Sequence, residues 1–169
     1  MCVGRLEEQK AIHFALEVFA GISDKFPELR LKIVGKGKLD KELKQKASEY
    51  SISSRVDFEG FQKDIIPYYL NARATMLTSY YEGYPNVLIE SLALNTPVIS
   101  FDCPGGPKEI IKNGVNGFLV NYLDIDDFKN KLIILLKNEF DYEDLKTSIN
   151  KNQINQVFKQ YENLINSFN

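Results

Sequence analysis

The chain has 169 residues, 44% of them hydrophobic and 26% charged, with a net charge of -2. These values describe one globular domain with ample core and argue against a disordered or membrane chain. Basic residues are interleaved with acids throughout, which argues against nucleic acid as the main partner.

Short β-rich runs alternate with longer helical ones. Strands are predicted at Cys2–Gly4, Leu31–Val34, Val56–Phe58, Ala74–Thr78, Val98–Phe101 and Gly117–Val120. Helices are expected between them at Glu8–Lys25, Leu39–Tyr50, Asp64–Asn71, Asn86–Leu94, Pro107–Asn113 and Ile125–Asn138. In the first helix Ile12, Ala15, Leu16, Phe19 and Ile22 recur at helical spacing and mark a buried stripe. His13 falls off that stripe and is expected to be exposed. "KGKLDKELKQK" alternates in sign and reads as a solvated helix face. In the tail, residues 150–169, Ile154, Val157, Phe158, Tyr161, Leu164, Ile165 and Phe168 recur at spacings of three and four. That pattern predicts an amphipathic helix in search of an apolar surface.

Alternating β and α segments imply right-handed βαβ units and a doubly wound parallel sheet of about six strands. Ligands of such sheets bind beyond the carboxyl ends of the strands, which directs attention to five loops: Gly4–Lys10, Gly35–Lys38, Phe58–Asp64, Ser79–Asn86 and Asp102–Lys108. Met1 stands almost on the first strand, as expected of a domain cut from a longer protein. Cys2 and Cys103 fit no metal spacing, and with a single histidine no metal site is expected. No signal peptide and no apolar run of about 18 residues occurs, so a cytoplasmic, reducing location is expected.

The most informative stretch is "YYEGYPNVLIESLALNTPVIS". Glu82 falls in the loop after a buried strand, with Gly83 and Pro85 leading into a helix that carries Glu90. Eight residues at helical rise correspond to about 12 Å, whereas paired glycosidase carboxylates stand roughly 5–9.5 Å apart. The spacing therefore disfavours acid–base chemistry across one bond and suits two carboxylates holding separate parts of one elongated ligand. Backbone N–H groups at Gly83–Asn86 open the helix between them and offer an anion site. On local evidence alone, two ordinary surface acids remain an alternative. In "VGRLEEQK", Arg5 and Lys10 flank the first strand–helix loop and suit phosphate oxygens; the alternative is two surface cations, one paired with Glu7 or Glu8. Gly35 and Gly37 in "IVGKG", and Gly105 and Gly106 in "DCPGGP", follow strands without forming a dinucleotide fingerprint or a P-loop.

Taken in order, "VGRLEEQK", "LKIVGKG", "VDFEGF", "LTSYYEGYPNVLIESLALNTPVIS", "GGPKEI" and "NGVNGFLV" resemble the C-terminal, donor-binding domain of GT-B retaining glycosyltransferases. The particular resemblance is to family 4, the "glycosyl transferases group 1" type. It implies a Rossmann-like domain over residues 1–149, the C-terminal half of a GT-B fold. The helix at 150–169 would pack on it or cross to an N-terminal acceptor domain that this sequence does not supply. It further implies that Arg5 and Lys10 neutralise the diphosphate of a nucleotide sugar, that Glu82 meets sugar hydroxyls, and that Glu90 holds the ribose. Gly60 and Phe61 would lie beside the nucleobase. Gly4, Gly35, Gly37, Ser79, Gly83, Tyr84, Pro85 and Asn86 would complete the donor pocket. No cofactor or metal is implied; the donor would be a UDP-hexose, and the acceptor a glycan or lipid-linked sugar in polysaccharide or envelope assembly. The full-length protein could then sit peripherally at the inner face of a membrane. The family often has glycine where Asn95 stands, and Asn also tolerates left-handed backbone angles. A second reading is a non-catalytic or split-enzyme module that binds nucleotide sugar without its acceptor domain. A nucleotide-sugar epimerase of the same fold is disfavoured by Glu82–Glu90 spacing together with Arg5 and Lys10.

Overall fold

The computed structural model describes residues 1–149. Six parallel strands are built as two triplets: β1 (Cys2–Val3), β2 (Leu31–Val34) and β3 (Val56–Gly60), then β4 (Thr75–Leu77), β5 (Val98–Phe101) and β6 (Gly117–Val120). Two hydrogen bonds join the triplets. Met76 N donates to Met1 O at 2.8 Å, and the Met1 ammonium to Ala74 O at 2.7 Å. The layer therefore reads β3-β2-β1-β4-β5-β6. Its order reverses between β1 and β4, where doubly wound sheets open a crevice for ligands.

Three strands, β2, β5 and β6, have the bounds expected from the sequence, and the other three differ at their ends. Helices α1 (Ile12–Ile22), α2 (Asp40–Glu49) and α6 (Ile125–Lys137) share one cluster with β1 and β2, built around Leu16, Phe19, Ile33, Leu43, Phe128 and Leu132. The opposite face is covered by α3 (Ile66–Leu70), α4 (Asn86–Ala93), α5 (Pro107–Ile110) and α7 (Tyr142–Thr147), through Tyr69, Leu88, Leu92, Ile110 and Leu145. Of α2 only Leu43 and Ala47 are buried, so its alternating charges do face solvent.

Several expectations need correcting. The first helix is not continuous from Glu8. Ala11 adopts φ 43°, which separates a 3-10 turn at Glu8–Lys10 from α1. A left-handed alanine is strained by roughly 1–2 kcal/mol, and it persists because Thr78 Oγ1 lies 3.2 Å from the carbonyls of both Lys10 and Ala11. His13 is half-buried rather than exposed, its ring 4.2 Å from that of Phe14 and 6.1 Å from that of Tyr80. Burial, helped by Lys46, lowers its pKa. Helix α7 was not expected, although Asp141 caps it by accepting from the amides of Glu143 and Asp144. Asn95 takes φ 61° just beyond α4, so it does end that helix as glycine would. The amphipathic pattern of residues 150–169 lies outside the described residues. No helix among the described residues is long and apolar enough to cross a membrane.

Candidate functional site

The loops after β1 and β4 meet at the point where the strand order reverses. The break at Ala11 allows the Lys10 side chain to fold back over Gly4; a methyl group on Gly4 would stand 3.2 Å from Lys10 Cε. Lys10 Nζ then reaches Glu82 Oε1 at 2.6 Å, and Ser79 Oγ donates to the same oxygen at 2.5 Å. The side chains of Lys10 and Glu82 are 15% and 7% exposed, so this ion pair is largely withdrawn from water. Glu82 is therefore no ordinary surface acid.

The backbone around Glu82 is fixed from two sides. Tyr80 N donates to Gln9 O at 2.9 Å, and Gln9 Nε2 donates to Tyr81 O at 3.0 Å. From the β5 loop, Pro104 O accepts from Glu82 N at 3.0 Å, and Gly106 N donates to Gly83 O at 2.9 Å. Gly105 sits at φ 120°, where a Cβ would fall 1.8 Å from Glu82 O. Only glycine lets these loops approach so closely. Cys103 is buried beside the pair, and burial, with the Glu82 carboxylate adding to it, pushes its thiol up to about 11.

Arg5 behaves differently. Its guanidinium is 68% exposed and lies 3.6 Å from Glu7, so of the two cations expected at the mouth only Lys10 turns inward. Glu90, on α4, receives the hydroxyl of Tyr69 at 2.9 Å. Tyr69 is wholly buried on α3, and desolvation first, then Glu90, raises its pKa strongly. Nothing in the local sequence pairs these residues, which are 21 positions apart. The two carboxylates thus have separate partners, Lys10 and Ser79 for Glu82 and Tyr69 on α3 for Glu90.

A cavity of about 850 Å³ opens beyond the ends of β1, β2 and β3. Gly4 and Arg5 line it on one side, Gly35 and Gly37 in the middle, and Phe61, Gln62 and Ile65 on the other. Gly60 ends β3 at its edge, its carbonyl accepting from Gly35 N at 2.8 Å. Tyr84 packs beside Gly106, and Pro85 and Asn86 begin α4. Among the described residues no group of three or more metal-ligating side chains comes together.

A family model described as "Glycosyl transferases group 1" matches residues 1–156. The chain belongs to the group 1 glycosyl transferases. Across 147 residues it is 34% identical to the lipopolysaccharide 1,6-galactosyltransferase of Salmonella typhimurium, covering 83% of this chain and 40% of that protein. Among solved structures, the apo form of the lipopolysaccharide outer core galactosyltransferase WaaB superposes with a TM-score of 0.87 at 28% identity, over 99% of this chain and 48% of that one. HepE of Anabaena, in complex with UDP and glucose, gives a TM-score of 0.84 at 22% identity over 98% and 48%, a likeness of fold. This group 1 chain thus has the Rossmann-like α/β fold found in GT-B glycosyltransferase structures. It spans 39%, 27%, 38% and 40% of the first four curated relatives it matches.

Proposed function

We propose that this chain is the donor-binding, C-terminal half of a retaining, family 4 glycosyltransferase that uses a nucleotide-diphospho-sugar, with UDP-hexose as donor. Residues 1–149 would form the nucleotide-sugar domain, and 150–169 a helix that packs on it or reaches toward the acceptor side. The observation that carries the reading is the withdrawn Lys10–Glu82 pair at the β1–β4 reversal, beside a cavity shaped by Gly4, Gly35, Gly37 and Phe61. The UDP seen with HepE and the galactosyl transfer in the Salmonella relative's name support a nucleotide sugar as ligand.

The proposed roles are those that the family resemblance implies for these positions. The base lies by Gly60 and Phe61, the ribose by Glu90, the diphosphate between Arg5 and Lys10, and the hexose against Glu82 with the Gly83–Asn86 backbone. Breaking the anomeric C–O bond leaves charge on the diphosphate. The Lys10 ammonium, already aimed by Glu82 and Ser79, and the exposed Arg5 guanidinium would stabilise that charge where it develops. No metal is needed in this scheme. The acceptor, a glycan or lipid-linked sugar in polysaccharide or envelope assembly, would bind outside this chain, and the chain alone would turn over poorly. The cytoplasm, with peripheral contact at the inner membrane face, suits such an acceptor.

Calorimetric titration with UDP tests the reading. The wild-type chain should bind, with weaker binding for Arg5→Ala and Lys10→Ala. Failure of the wild type to bind, or undiminished binding by both variants, would overturn it. Arg5 is exposed, so its variant remains informative even if Lys10→Ala loses stability.

A further inference from the structure

We infer that Lys36 and Gln62 select the nucleobase of the donor, favouring bases with a keto oxygen beside a ring N–H over bases with an exocyclic amine beside a bare ring nitrogen. Uracil and guanine belong to the first kind, cytosine and adenine to the second. The inference rests on the donor-site reading above and concerns two residues of its base end, Lys36 and Gln62, to which no role has been given so far.

Lys36 stands between two glycines whose backbones are pressed against the β1 loop. A methyl group on Gly35, at φ 144°, would lie 1.8 Å from Gly4 O, and one on Gly37 would lie 2.3 Å from Leu6 O. Leu6 N donates to Lys36 O at 3.1 Å, and Gly35 N donates to Gly60 O at 2.8 Å. The segment is therefore clamped between the loops after β1 and β3, and Lys36 supplies its one side chain. That side chain lines the cavity, with Nζ 5.5 Å from the ring centroid of Phe61. Phe61 is 68% exposed and offers its face to a planar ligand. Gln62, also lining the cavity, gives its Nε2 to Glu59 O at 2.7 Å, so the acceptor its amide can still present is Oε1.

A stacking face, a donor and an acceptor thus meet at the end of the cavity farthest along the sheet from Glu82. An ammonium has three donors and no acceptor. It satisfies O4 of uracil or O6 of guanine and opposes the N4 amine of cytosine or the N6 amine of adenine. Oε1 of Gln62 completes the pattern by accepting from the ring N–H of the same two bases. Discrimination of this kind is strong because the wrong base leaves polar groups unpaired. The cavity volume would not separate the bases.

The test is calorimetric titration of the full 169-residue chain with UDP, GDP, CDP and ADP at one ionic strength, with thermal melting of each variant as a folding control. UDP and GDP should bind about tenfold more tightly than CDP and ADP. Lys36→Met should weaken UDP and GDP while leaving CDP and ADP within about twofold, so that the preference collapses. Gln62→Leu should narrow it in part. If the four nucleotides bind alike, the selection does not exist. If Lys36→Met weakens all four equally, Lys36 acts only as a point charge toward phosphate. Either result overturns the inference and leaves the donor-site reading standing. If no nucleotide binds, both fall together.

Discussion

The two ends of the candidate site are built on opposite plans. At the β1–β4 reversal the groups are locked before any ligand arrives: Lys10, Ser79 and Glu82 bond one another, and backbone bonds from Gln9, Pro104 and Gly106 hold the loop that carries Glu82. At the β2–β3 end the backbone is equally clamped, yet Lys36, Phe61 and Gln62 project into an open cavity. The contrast suits a ligand whose reacting part must be placed precisely and whose remote part must be recognised and released. Preorganised charge at the locked end lowers the cost of meeting a developing leaving group. Side chains that line an open cavity can instead meet a flat ring from its face and its edge.

The sharpest way to break this contrast is Gly105→Ala. Its Cβ would overlap the Glu82 carbonyl at 1.8 Å, and the residue sits at φ 120°. Urea denaturation should show a loss of more than about 4 kcal/mol, or no folded protein at all. A loss under about 1 kcal/mol would mean that the loop is looser than its hydrogen bonds imply. Next comes Lys10→Met, which leaves Glu82 buried without its partner and should cost about 3 kcal/mol. Adding Glu82→Gln to that variant should recover part of the loss, because the uncompensated charge is then gone. No recovery would show that Lys10 contributes through packing rather than through charge.

How much of this could be read beforehand follows the range of the forces involved. Leu31–Val34, Val98–Phe101 and Gly117–Val120 are strands to the residue because each is a short, mostly apolar run cut off by local chain chemistry. The helix-ending turn at Asn95 was legible for the same reason. Ala11 was not, since alanine favours helix and the bond that breaks it comes from Thr78, 67 positions away. Glu82 and Lys10 could each be assigned to a loop at the mouth, but their pairing across 72 positions depends on strand order. The sequence treated Arg5 and Lys10 alike, and only the fold separates the cation withdrawn against Glu82 from the exposed one at the rim of the cavity. Helix α7 is legible in Asp141, a capping residue, with acids at Glu143 and Asp144 in its first turn.

Alkaline pH probes the buried layer beneath both ends. Cys2 lies in β1, between the two halves of the sheet, and burial pushes its thiol from 9.0 up to about 11. A thiol held neutral by the fold contributes fully below its unfolded pKa, near 9, and that contribution is lost as pH rises toward 11. The loss should be about 2.7 kcal/mol at most. Comparing Cys2→Ala with the wild type at pH 8 and pH 10.5 isolates it: the variant is less stable at pH 8, and the gap should narrow at pH 10.5. A constant gap would mean that the thiolate is tolerated where it forms.

The smallest expected change in stability, and the finest division of the site, comes from Gly83→Ala. A Cβ at Gly83 meets no atom within 4 Å, in contrast to Gly105 on the facing loop. Stability should therefore stay within about 0.5 kcal/mol of the wild type. The methyl group would nevertheless stand in the space assigned to the hexose, one residue from Glu82 and away from the base end. Binding of UDP should be unchanged while binding of UDP-glucose weakens, so the ratio of the two affinities carries the answer. If both ligands bind as they do to the wild type, the sugar does not rest on the Gly83 backbone, and Glu82 would need another role than holding its hydroxyls.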